Sequence, residues 1–166
     1  MESKNEVNEL NEYERIIAVV KKQIPVLLLI LLIAFPIHEL SHLTMYWLYG
    51  ATDLKVVFLM EPEMMFYATC AGGYLTTPQY YVSVFAGGLF TSIILSPFLY
   101  KKQLAGIVPL MQLVYAFFEL YMATLVKATG IAMMYMTELI VVPLVVVMFV
   151  MNMVYAIWWS YYNGFL

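Results

Sequence analysis

Long apolar runs separated by short polar breaks organise this sequence. Runs at about residues 23–49, 80–100, 103–125 and 131–161 are each long enough to cross a hydrocarbon core of about 30 Å as α-helices rising about 1.5 Å per residue. The first closes with Tyr46, Trp47 and Tyr49, an interfacial aromatic belt, and with Gly50 as a helix stop. Ahead of it, Met1 to Lys22 is polar, with Val7, Leu10, Ile16, Ile17 and Val20 at loosely helical spacing. It reads either as a short amphipathic helix on a membrane surface or as a disordered tail. Between the first and second runs the pattern changes. Leu54 to Met60 and Met64 to Cys70 are rich in β-branched and aromatic residues about the turn Glu61-Pro62-Glu63, which predicts a hairpin. Unpaired strands cannot face lipid, so the hairpin belongs at the interface or folded against the helices. The predicted fold class is therefore an all-α integral membrane protein, with four transmembrane helices forming one domain over residues 23–166 and a small β-hairpin after the first helix.

Composition agrees with this reading and narrows it. Of 166 residues, 64% are hydrophobic and 11% charged, which leaves no room for a separate soluble domain. The net charge of -3 arises largely from the tail acids Glu2, Glu6, Glu9, Glu12 and Glu14. No basic patch exists to hold nucleic acid. The single cysteine, Cys70, rules out an internal disulfide. The first sixteen residues are too acidic, and the apolar run after them too long, for a cleavable signal peptide. If all four runs cross, Lys4, Arg15, Lys21, Lys22, Lys101 and Lys102 fall on one side and Lys55 and Lys127 on the other. The positive-inside rule then makes both termini cytoplasmic.

One stretch of the first helix does not suit lipid. Pro36-Ile37-His38-Glu39-Leu40-Ser41-His42 holds both histidines of the chain, four residues apart, with a glutamate directly after the first. On an α-helix the two imidazoles stack on one face, and Glu39 lies about 100° round from them. That spacing suits a tetrahedral Zn2+ taking two nitrogen ligands from one helix, a third ligand from elsewhere and a water in the open position, with Glu39 as the base that takes the water's proton. Ionisable groups at membrane depth cost roughly 2.5 kcal/mol or more each and mark function by default. Pro36 removes a helical hydrogen bond beside the site and can bend the helix there.

The third ligand must come from few candidates. After the tail, the acids other than Glu39 are Asp53, Glu61, Glu63, Glu119 and Glu138. The first three are most simply solvated residues of the hairpin region. Counting along the helices puts His38 roughly 21 Å and Glu119 roughly 24 Å above the cytoplasmic boundary, with Glu138 at roughly 20 Å. Depth leaves both Glu119 and Glu138 open as the third ligand; a Glu119 that is not a ligand would be a protonated, hydrogen-bonded acid, and a Glu138 that is not would be an interfacial residue near the outer surface or would orient a histidine.

With H-E-x-x-H in a membrane helix, a β-prone segment after it and Ser83-Val84-Phe85-Ala86-Gly87-Gly88-Leu89 on the next helix, residues 30–125 resemble the site-2 protease family of intramembrane zinc metalloproteases. The resemblance implies His38 and His42 as zinc ligands and Glu39 as catalytic base, with Ala86-Gly87-Gly88 standing where the family often has an Ala-Gly-Pro-like motif. The family's Leu-Asp-Gly motif is absent, and chain order sets Glu119 in place of its aspartate ligand. The implied activity is hydrolysis of peptide bonds in membrane-embedded substrates, the partner being a membrane protein or transmembrane peptide that unwinds before cleavage. The hairpin would either receive the unwound segment as an added strand or simply cover the site. Two other classes use the same residues: an inactive zinc-binding membrane interaction protein, and a small transporter whose polar path Glu119 and Glu138 line.

Overall fold

A computed structural model describes residues 2–59, 65–73, 75–101, 103–129 and 137–164. Side chains of residues 2–12, 58–59, 65–67, 129 and 137–142 are outside that description, which removes the Glu138 carboxylate from consideration, together with Glu61 and Glu63.

Helix α1 runs from Glu2 to Leu48 without interruption. Its polar first turns join the apolar run directly, where the sequence pattern suggested a separate surface helix or a disordered tail; glutamates form helices well and sit favourably near the positive end of the helix dipole. At 47 residues it is about 70 Å long, more than twice the thickness of a bilayer core, so its acidic end projects well past the apolar part. Pro25 and Pro36 both lie inside it. Its end is a Schellman motif: Gly50 takes φ +79°, its N–H reaches the Trp47 carbonyl at 3.0 Å, and Ala51 N–H reaches the Tyr46 carbonyl at 2.9 Å. Glycine tolerates that backbone, and the chain turns sharply back.

The turn leads into strands β1 (Lys55–Leu59) and β2 (Met65–Thr69), paired antiparallel with Val56 opposite Ala68. An isolated bridge between Thr52 and Gly72 closes the base of this hairpin. Helix α2 (Thr77–Tyr100) follows, with Thr76 N–H donating to the Gln79 side chain at 2.8 Å, half of a capping box. A 3-10 turn (Leu104–Gly106) reverses the chain into α3 (Ile107–Thr129), and α4 spans Thr137–Tyr162. The expected hairpin and helices are thus present, and four helices are long and apolar enough to cross a membrane.

Helices α1, α2 and α3 form the packed unit, with α2 at its centre. Small residues allow this. A Cβ on Gly88 would strike the Gln112 carbonyl and Ala116 on α3, so the α2 and α3 backbones touch. At one end of the unit Ile30, Ala34, Leu95, Ala105, Val108 and Trp159 form a buried apolar cluster. There α4 is tied in by Tyr155, whose hydroxyl donates to the Gln103 carbonyl at 2.6 Å. The outward faces are apolar as well, with Leu32 70% and Phe149 62% exposed, which no water-facing surface of this extent favours.

Candidate metal centre

One helical turn beyond the apolar cluster the interior becomes polar. His38, Glu39, Ser41, His42, Ser83 and Thr91 are all buried. Buried polar groups need partners, and Ser41 satisfies its hydroxyl locally on the Ile37 carbonyl at 2.7 Å.

The imidazoles of His38 and His42 follow one another along α1, edge to face at 80° with centroids 4.7 Å apart, on one face of the helix as their i, i+4 spacing dictates. Both turn Nε2 toward one point, where Glu119 of α3 also arrives. The three donor atoms form a nearly equilateral triangle: His38 Nε2 to His42 Nε2 is 3.1 Å, His38 Nε2 to Glu119 Oε1 3.1 Å, and His42 Nε2 to Glu119 Oε1 3.4 Å. A tetrahedral ion with bonds of about 2.0–2.1 Å requires ligand atoms about 3.3–3.4 Å apart. The triangle therefore has the size of one face of such a tetrahedron. Among the described residues this is the group of histidine, cysteine and acidic side chains able to hold a metal ion.

Hydrogen bonding supports the same conclusion. His42 Nδ1 lies 2.7 Å from the Ser83 carbonyl oxygen, which can only accept, so that nitrogen carries the proton and a neutral ring presents a lone pair at Nε2. The other Glu119 oxygen, Oε2, is buried without a hydrogen-bond partner. Lone pairs converging in a buried space repel one another unless a cation sits among them.

The space for that cation is left by a glycine. A Cβ on Gly87 of α2 would lie 2.8 Å from His38 Nε2 and would overlap the Nε2 edge of His42. The missing methyl group thus leaves room beside both Nε2 atoms, and a donor set of two imidazoles and a carboxylate fits a divalent transition ion.

Glu39 completes the cluster from a different direction. It is 8% exposed, and its Oε2 accepts the Ala68 N–H at 2.5 Å. Ala68 faces Val56 across the hairpin and spends its N–H on Glu39, so the edge of β2 not paired with β1 is turned toward α1.

Of the residues singled out from sequence, His38, His42 and Glu119 meet, and Glu39 borders them. Asp53 is outside the cluster, in the turn before the hairpin at φ 53°. The expectation that Glu119 stands level with the histidines holds; the alternative, Glu138, lies outside the described side chains. Three contributors were not anticipated. Gln112, whose Oε1 is 2.9 Å from His38 Nδ1, was detectable as a lone polar residue seven positions before Glu119. The Ser83 carbonyl and the Ala68 amide are backbone groups that leave no mark in a sequence, and Gly87 stands out there only within the small-residue motif Ala86-Gly87-Gly88. This chain matches no family model, no curated protein and no solved structure.

Proposed function

We propose that this chain is an integral membrane zinc metallopeptidase that hydrolyses peptide bonds of membrane-embedded substrates. The carrying observation is the donor triangle of His38, His42 and Glu119 with the carboxylate of Glu39 beside it in a buried site. The four apolar helices and their exposed leucine and phenylalanine side chains support placement in a bilayer. Arg15 donates to the Gly164 carbonyl at 3.1 Å, so the start of the first span and the end of the fourth share one side. The lysine distribution supports reading that side as the cytoplasm.

His38, His42 and Glu119 would hold the zinc ion, and the chemistry it would supply when bound is Lewis acidity toward a water and the scissile carbonyl. The chain's own residues do the remainder. Glu39 accepts the water's proton on its carboxylate and returns it to the nitrogen of the leaving amine. Burial by α2 and α3 keeps bulk water away and strengthens each charge interaction. A substrate unwound into an extended strand would pair with an exposed edge of the hairpin, away from the Ala68 N–H that Glu39 already holds. Retention of a glutamate directly beside two histidine ligands favours hydrolysis over metal storage. The hydrogen bond from Ala68 to Glu39 favours one other reading, a metal-holding membrane protein without turnover, because it occupies one of the carboxylate oxygens.

One variant set separates these. Purified His38→Ala is expected to lose its metal and Glu119→Ala to bind it weakly. Glu39→Gln is expected to keep the metal and to abolish cleavage of a co-expressed transmembrane peptide. Cleavage that survives Glu39→Gln rules out the hydrolytic mechanism, and full metal occupancy in His38→Ala rules out the site.

A further inference from the structure

The two histidines of the cluster are held in different ways. His42 donates its Nδ1 proton to a main-chain oxygen, that of Ser83 at 2.7 Å, which no side-chain substitution removes. His38 has only a side chain in that role, Gln112 Oε1 at 2.9 Å. Gln112 and Glu119 are seven residues apart on α3, two turns and about 10.5 Å along the axis, on one face. From there both reach the same imidazole, Gln112 at Nδ1 and Glu119 at Nε2. The Tyr115 ring, 5.3 Å from that of His38, packs beside it on the intervening turn.

We propose that Gln112 is a positioning residue of the metal centre: by accepting the His38 Nδ1 proton it fixes the ring's orientation and the tautomer that directs the Nε2 lone pair at the ion. The inference rests on the metal-site reading above. It also accounts for an amide here, where a carboxylate is the more usual partner of a metal-ligating histidine. A divalent ion with Glu119 and Glu39 is already charge-neutral, and a third carboxylate would leave an uncompensated negative charge among apolar helices. Gln112 supplies the acceptor without the charge.

The test is titration of metal-stripped, detergent-solubilised full-length protein with Co2+ alone, followed by its visible absorption bands. Gln112→Met keeps chain length and volume but cannot accept the proton; Co2+ affinity is expected to fall about 10- to 100-fold, the usual effect of losing such a partner. Gln112→Glu, once ionised beside the cation, can only accept, and is expected to bind Co2+ at least as tightly as wild type at a pH that keeps it ionised. Wild-type affinity in Gln112→Met overturns the proposal, as does a loss of affinity in Gln112→Glu, which would mean that the amide donates to the ring. Should Gln112→Met not fold, the direction of change in Gln112→Glu decides alone. A wild-type protein that takes up no Co2+ overturns the metal centre and this proposal with it, whereas binding that is indifferent to position 112 overturns this proposal only.

Discussion

Replacing Gly87 by alanine adds one methyl group and removes no ligand, yet it is expected to cripple metal binding. Built on the existing backbone, the new Cβ lies 2.8 Å from His38 Nε2 and overlaps His42 Nε2 and Cε1. Carbon and nitrogen in ordinary contact stay about 3.5 Å apart, so His38 must yield by about 0.7 Å and His42 by more. The α2 backbone cannot retreat, because the adjacent Gly88 is already against the Gln112 carbonyl and Ala116. The His42 ring therefore has to swing aside, which breaks its 2.7 Å bond to Ser83 and turns Nε2 off the focus. Without metal the ring can move at modest cost. With metal bound, ring and ion both claim the methyl's volume. Overpacking of this kind costs about 1–3 kcal/mol, and concentrated in the bound state at about 1.4 kcal/mol per decade it weakens binding by at least about 5- to 150-fold. Competition between the purified variant and a zinc-sensitive dye measures this directly. Gly88→Ala is the contrast: its clash is with the α3 backbone, so its main effect should be lost thermal stability, and any loss of metal affinity should come through displacement of Glu119 and not through His42. Wild-type zinc affinity in Gly87→Ala would show that the ion does not sit where the donor atoms converge.

Two further outcomes follow from the same geometry. Chelation of the metal should lower thermal stability, by about 2.7 kcal/mol from a starting free-metal level of 100 times Kd, and restoring the ion should recover it; identical melting curves with and without chelator would contradict a metal that bridges α1 and α3. Ala68→Pro removes the N–H that Glu39 accepts while the β2 edge toward β1 stays paired, so stability should fall by about 1.5–3 kcal/mol, the range for a hydrogen bond to a charged group. The loss should be smaller in a Glu39→Ala background, and a double-mutant cycle that shows no coupling would refute the contact.

Much of this architecture follows from local rules. Apolar run length sets where helices can form, β-branched and aromatic clustering about Glu61-Pro62-Glu63 marks the hairpin, and Gly50 at positive φ ends α1 as its residue type suggests. The pairing of His38 with His42 is likewise local, since any α-helix puts i and i+4 on one face. The choice of Glu119 was legible only in part, because counting residues fixes depth along a helix but not rotation about its axis or which neighbour it touches.

Those two quantities belong to the tertiary structure. Gly88 brings α2 onto α3, which sets the Glu119 and Gln112 face toward α1; Gly87 then leaves the Nε2 atoms of both histidines clear of a side chain that would otherwise strike them. The Ser83 carbonyl and the Ala68 amide become partners of His42 and Glu39 only when chain segments 41 and 29 residues distant are folded together. Sequence alone determined which atoms are available to hold a metal, because that depends on residue type and helical spacing. Packing decided which of them converge and what orients them, because main-chain polar groups are the same in every residue and acquire a role only through position.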